Sequence, residues 1–198
     1  MFVTFEGLDG SGKSTQAQLL AEALRGEGRD VVTTREPGGT ELGEQVRELL
    51  LHQGAVSPWA EAALFAAARA QLVEEVIVPA LERGADVICD RYLDSSLAYQ
   101  GIARDLGLDR VLELNLHAVR GVLPDRTFLL LVDPAESARR VGGGGDRIER
   151  EDDAFRARVD AAYRQLADVF PERIQTVDGS RPPREIAEEV LHELRQRS

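Results

Sequence analysis

The chain has 198 residues, 43% hydrophobic and 30% charged, with a formal net charge of −11, and is long enough to bury roughly 70% of its unfolded surface around one core. An acidic balance of this size excludes a general basic field for nucleic acid, so any anionic ligand must meet local positive charge. Apolar runs such as Phe128 to Val132 fall far short of the ~20 residues that span a bilayer, the N-terminus enters Phe2-Val3-Thr4-Phe5 without a basic leader, and the single cysteine, Cys89, excludes an internal disulfide. The expectation is a single cytoplasmic domain, 1–198, with neither a membrane nor a nucleic-acid partner.

Periodicity and punctuation place elements in chain order. A strand Phe2–Glu6 leads into a helix of about Lys13–Gly26, then a strand Val31–Arg35, a helix of about Glu41–Leu50, and a long helix from Pro58 towards Leu81. Ser57 before Pro58 reads as an N-cap and N1 pair. Next come a strand Val87–Asp90, helices of about Ser95–Ala103 and Leu108–Val119, a strand Phe128–Val132 and a helix of about Ala135–Val141. A helix of about Asp152–Phe170, a strand Ile174–Val177 and a last helix of about Pro183–Gln196 complete the chain. Short apolar strands separated by helices predict a parallel sheet covered on both faces, a doubly wound α/β domain with ligands at the carboxyl ends of its strands. The four glycines Gly142 to Gly145 predict a mobile loop.

The segment Gly7-Leu8-Asp9-Gly10-Ser11-Gly12-Lys13-Ser14, followed by Thr15, matches G-x-x-x-x-G-K-[ST] between a predicted strand and a predicted helix. In such a loop successive backbone N–H groups close around phosphate oxygens, and the helix N-terminus adds partial positive charge. Lys13 then reaches the β- and γ-phosphates of ATP, while Ser14 is placed to ligate Mg²⁺. Lys13 is the one lysine among 24 basic residues, so a base-reading N-K-x-D motif of the guanine-specific switches is absent. Size and domain count exclude a multi-domain motor, which leaves a kinase of small molecules. Arg35 and Arg91 each follow an apolar strand on the face where Lys13 lies, and each can fork two donors onto phosphate. Asp90 reads as a carboxylate that holds Mg²⁺, as a helix N-cap, or as both.

Several further segments, taken in order, carry a resemblance. Thr34-Arg35-Glu36-Pro37-Gly38-Gly39-Thr40 follows the second strand, Asp90-Arg91-Tyr92 the third, and Ser95-Ser96-Leu97-Ala98-Tyr99-Gln100-Gly101 comes soon after. With Leu64 to Arg69, Asp146-Arg147-Ile148-Glu149 and Asp178-Gly179-Ser180, the chain resembles the bacterial thymidylate (dTMP) kinases over essentially its whole length. That resemblance implies a five-stranded parallel sheet of the P-loop nucleoside monophosphate kinase type, a mobile lid over ATP at about 139–150, Mg²⁺ dependence, a homodimer, and transfer of the γ-phosphoryl group of ATP to dTMP, giving dTDP for deoxynucleotide synthesis. It assigns Arg35 and Arg91 to the dTMP phosphate, Phe65 to stacking on the base and Arg69 to a thymine carbonyl. Ser96, Tyr99 and Gln100 are implied to line the same pocket, with Glu36 and Pro37 beside it, and Asp9 is implied to accept from the sugar 3′-hydroxyl. Leu64, Leu72 and Val76 offer apolar surface for the second copy.

Some members of the family carry an arginine inside the P-loop, where this chain has Gly10. The charge for the transferring phosphoryl group is therefore expected from Arg139, Arg140 or Arg147; Arg139 alternatively lies on the adenine with Arg181 opposite. Two rivals stand beside this reading. One is a kinase of the same architecture acting on a deoxynucleoside or another monophosphate. The other is a regulatory module that binds ATP without turnover.

Overall fold

A computed structural model describes residues 1–52, 54–142, 146–148 and 150–196. Three of the four expected loop glycines, 143–145, and Glu149 lie outside the described residues. In order, the elements are β1 Phe2–Glu6, α1 Lys13–Gly26, β2 Val31–Arg35, α2 Glu41–His52, α3 Pro58–Leu72, α4 Val78–Glu82, β3 Asp86–Asp90 and α5 Leu93–Ser96. Then follow α6 Leu108–Val119, β4 Arg126–Leu131, α7 Pro134–Val141, α8 Asp153–Val169, β5 Ile174–Asp178 and α9 Pro183–Gln196.

The strands form a five-stranded parallel sheet in the order β2-β3-β1-β4-β5. Alternation along each strand divides the apolar side chains between two layers. Phe2, Val87, Cys89 and Leu129 face a cluster built with Leu72, Ile77, Leu97, Val111, Tyr163 and Leu166. Val3, Phe5, Ile88, Phe128 and Leu130 face the other cluster, which α1 and α9 close with Leu20, Leu24, Ile186 and Val190. The chain leaves β1 towards β2 on one side and leaves β3 towards β4 on the other, so these neighbouring strands flank the switch point of the sheet. Clefts form where adjacent connections diverge in this way. The loops after β1 and β3, which carry the P-loop and Arg91, open into it.

Two helices depart from the sequence expectation in form. The long helix from Pro58 continues to Glu82, but Val73–Ile77 is π-helical, as is Leu97–Ala103 after α5. Pro79 accounts for the first: it has no N–H to give and its ring crowds the preceding turn, and the wider turn takes up the misfit. Ser57 stands at the N-cap of α3 without a side-chain cap bond, whereas Asp133 and Asp152 cap α7 and α8 through backbone N–H groups of Ala135, Glu136 and Phe155. Leu72, expected at a dimer surface, is fully buried in the core, so it offers nothing to a second copy. No helix among the described residues is long and apolar enough to cross a membrane.

Candidate active site

The loop after β1 turns because Gly7, Gly10 and Gly12 hold positive φ. At Gly7 a Cβ would lie 2.5 Å from the carbonyl oxygen of Leu130, and at Gly10 it would lie 2.9 Å from that of Ser137 and 3.0 Å from Arg140 Cβ. Gly10 is therefore the surface on which α7 rests, and no side chain fits there. Ser137 Oγ fastens the contact by donating to the Asp9 carbonyl at 2.6 Å. Lys13 Nζ donates to the Leu8 carbonyl at 2.7 Å and lies 3.9 Å from Asp9. Burial, assisted by the nearby Arg91, lowers the Lys13 ammonium to about 8. A buried cation poised beside a phosphate-shaped loop gains most when an anion arrives.

Arg91 sits at φ 70, in the left-handed region, as the strand turns away. That conformation costs a non-glycine residue energy, and here several bonds hold it. Its Nη2 meets Asp9 Oδ1 at 2.6 Å, and its Nη1 meets Ser95 Oγ at 3.0 Å and Tyr163 Oη at 3.1 Å. Glu6, at the end of β1, is buried behind this group and accepts from Tyr92 N, Ser95 N, Ser95 Oγ and Tyr163 Oη. Burial and the neighbouring Asp94 raise the Glu6 carboxyl, against the pull of Arg91. For Asp9 burial acts upward too, but Arg91 and Lys13 outweigh it and hold the carboxyl at about 2.

Two clefts meet at these residues. The first is lined by Gly10, Gly12, Lys13, Ser14, Thr15, Arg35, Asp90 and Arg140. The second, enclosing about 550 Å³ continuous with solvent, is lined by Pro37, Leu51, Phe65, Ser95, Ser96, Tyr99, Gln100, Asp146 and Ile148. Asp9, Glu36, Arg47 and Arg91 line both. Ser14 Oγ donates to Asp90 Oδ2, which places a hydroxyl and a carboxylate together at the head of α1. These are hard oxygen donors of the kind Mg²⁺ takes alongside phosphate oxygens and water.

Several expected residues sit differently from their expected roles. Arg35 lines the first cleft but is half exposed and forked onto Glu44 at 2.9 and 3.0 Å. Arg69 is 1% exposed. Its guanidinium donates to Glu36 Oε2, Ser96 Oγ, Asn115 Oδ1 and the Tyr92 carbonyl, so its donors are already engaged within the protein. The other oxygen of Glu36, Oε1, is buried with no hydrogen-bond partner among the described residues, and burial raises its carboxyl to about 7 despite Arg69. Of the lid arginines, Arg140 pairs with Glu136 at 2.9 Å and donates to the Gly10 carbonyl of the P-loop and to the Gly179 carbonyl after β5, both at 3.3 Å. Arg147 is turned away onto Leu50 O and Glu61 Oε2, at 2.8 and 2.6 Å. Arg139 pairs with Glu136 on the surface, and Arg181 pairs with Glu185 and Glu189. Sequence reading missed Glu6, Arg47, Glu61 and Tyr163. Their partners are distant in sequence, and only Arg47, three residues after Glu44 and hence on the same face of α2, carried a local cue.

Comparison with known proteins identifies the family. The family model described as thymidylate kinase matches residues 5–190. A thymidylate kinase of Leifsonia xyli is 54% identical over 194 residues, covering 96% of this chain and 92% of its own, and one of an Exiguobacterium species is 50% identical over 197 residues with the same coverages. The crystal structure of thymidylate kinase from Ehrlichia chaffeensis superposes with a TM-score of 0.81 at 36% identity, over 98% of both chains.

Proposed function

The chain belongs to the thymidylate kinase family, and on that premise we propose how its residues divide the phosphorylation of dTMP to dTDP by ATP. The observation that carries the division is the shared wall of the two clefts, Asp9, Glu36, Arg47 and Arg91, between a phosphate-binding loop and an apolar slot. ATP takes the first cleft, with its phosphates on the backbone of residues Gly7 to Thr15 and on Lys13. dTMP takes the second, with its base against Phe65 and its phosphate at Arg91.

A monophosphate oxygen is already an anionic nucleophile at neutral pH, so no side chain has to remove a proton. It attacks the γ-phosphorus, the bond to the β–γ bridging oxygen breaks, and ADP leaves with that electron pair. The protein's task is to bring two anions together and to meet the charge that spreads over the transferring group. Arg91 serves the acceptor side, Lys13 the donor side, and Arg140, poised over Gly10, the phosphoryl group between them. Asp9 and Tyr163 fix the Arg91 guanidinium, and Tyr99, whose ring lies 5.5 Å from the Arg91 guanidinium carbon, walls off the sugar. Arg35 joins the acceptor phosphate once it leaves Glu44. Ser14 and Asp90 would hold Mg²⁺, which screens phosphate charge when bound.

The active form is read as a homodimer that covers the face of α3 and α6, where Trp59 and Leu116 are exposed. A cytoplasmic location accords with a lone, buried, free Cys89. The assay is ADP release with a single acceptor present. Release that depends on dTMP supports the reading; release that is the same with no acceptor overturns it in favour of an ATPase or a binding module.

A further inference from the structure

Behind the base slot lies a carboxylate that the proposed reaction does not use. Glu61, on α3, is fully buried and does not line the cleft. Its Oε1 accepts from Gln100 Nε2 at 2.8 Å and from Arg104 Nε at 2.7 Å, and its Oε2 accepts from Arg147 Nη2 at 2.6 Å and from Arg104 Nη2 at 3.2 Å. Burial acts to raise this carboxyl, but the bonds from Arg104, Gln100 and Arg147 prevail and lower it. An ionised carboxylate accepts and cannot donate.

That asymmetry fixes the amide of Gln100. Turned the other way, its oxygen would face Glu61 at hydrogen-bond distance, acceptor against acceptor, in a buried site. With the nitrogen held by Glu61, the oxygen is the free end, and no described residue donates to it. Gln100 lines the cleft beside Phe65, Ser96 and Tyr99. Ser96 is polarised in a matching way: its Oγ accepts from Arg69 Nη1 at 3.0 Å, which leaves the hydroxyl proton to donate elsewhere.

We propose that Glu61 is a positioning residue for base specificity, holding Gln100 as an acceptor so that, with Ser96 as donor, the slot reads the N–H and carbonyl edge of a thymine or uracil ring and rejects cytosine. A cytosine ring presents an acceptor at N3 and a donor at C4, the reverse at both points. Glu61 acts without touching the substrate. The inference rests on the reading above that the base lies in this cleft with Gln100 at its edge.

The experiment compares kcat/KM for dTMP and dCMP in the wild type, Glu61→Gln, Gln100→Leu, Arg104→Ala and the exchange Glu61→Gln/Gln100→Glu, with melting temperatures to identify variants that do not fold. A glutamine at 61 can donate or accept, so Gln100 is freed to turn, and the dTMP-to-dCMP ratio should fall at least about tenfold. Arg104→Ala removes a charge from the same carboxylate but leaves its polarity, and should keep the ratio within about twofold. The exchange returns a pure acceptor to the cleft and should restore the ratio, which decides the matter if Glu61→Gln alone fails to fold. A wild-type ratio in folded Glu61→Gln together with a lost ratio in Gln100→Leu overturns this inference alone. An equal loss in Arg104→Ala, or an exchange variant that stays unselective, overturns it as well. A wild-type ratio in Gln100→Leu removes both the inference and the placement of the base.

Discussion

Arg91 Nη2 stands 2.6 Å from Asp9 Oδ1, joining the loop that follows β3 to the phosphate loop that follows β1. One guanidinium thus spans the seam between the two clefts, and Glu6 braces it from behind through Ser95 and Tyr163. Removing it should be felt on the acceptor side. Arg91→Ala is expected to raise KM for dTMP and lower kcat by on the order of 10² to 10³, with KM for ATP changed by less than about threefold. An effect confined to KM for ATP would exchange the two nucleotide sites.

Lys13 supplies charge at a cost to the empty protein. Its ammonium is held at about 8 against an ordinary 10.5, so between those values the unfolded chain binds more protons than the folded one, and stability rises with pH across that window. Below pH 8 the full penalty applies. Lys13→Met should therefore abolish turnover while making the nucleotide-free protein more stable at pH 7, by at most about 3 kcal/mol. The advantage should shrink as pH rises from 8 to 10.5. Urea unfolding at several pH values measures this, and a Lys13→Met protein less stable than wild type at pH 7 contradicts it.

Arg139 and Arg140 both pair with Glu136, Arg140 alone of the two also reaches the Gly10 carbonyl, and Arg147 is bound to Glu61. Arg140 overlies Gly10, so Arg140→Ala should lower kcat by on the order of 10² under saturating ATP and dTMP with little change in melting temperature. Arg139→Ala removes a surface ion pair and should be near neutral. Arg147→Ala breaks a bond to buried Glu61 and should appear chiefly as lost stability. Near-normal kcat in Arg140→Ala with a hundredfold loss in Arg147→Ala would reverse the assignment.

The proposed base slot is walled by Phe65, Ser96, Tyr99 and Gln100. Its selectivity should be steep against dGMP and shallow against dUMP, because the missing methyl is worth only about 1 kcal/mol of burial. Comparable rates with dGMP and dTMP would remove Phe65 from the role of base platform.

Much of this arrangement was legible in the sequence because it depends on spacing. The P-loop needs eight consecutive positions between a strand and a helix, and Arg35 and Arg91 announce themselves as the first basic residues at the carboxyl ends of their strands. β1, α1 and β2 fall where periodicity predicts, since each is bounded by glycine or charge. β4 begins earlier than its apolar run, at Arg126, because the backbone of Arg126 and Thr127 pairs with Val3 and Thr4 whatever the side chains are. The π-helical turns had no signature apart from Pro79. Glu6, Glu61 and Tyr163 were hidden for a different reason. A buried carboxylate or phenol matters through partners more than thirty residues away in sequence, and nothing local distinguishes it from any other polar residue in an amphipathic pattern. The same limit applies to Arg69, whose place on the helix with Phe65 was readable but whose capture by Glu36, Ser96 and Asn115 was not.

The transfer can be followed on the phosphoryl group itself. ATP labelled at the γ-phosphate is incubated with the full chain and Mg²⁺ in the presence of dTMP, thymidine or no acceptor, and the products are separated. Label is expected in the β-phosphate of dTDP, matched mole for mole by ADP, with neither labelled thymidine monophosphate nor free labelled phosphate at a comparable rate. Label appearing in thymidine, or released as inorganic phosphate at the same rate without dTMP, would contradict it.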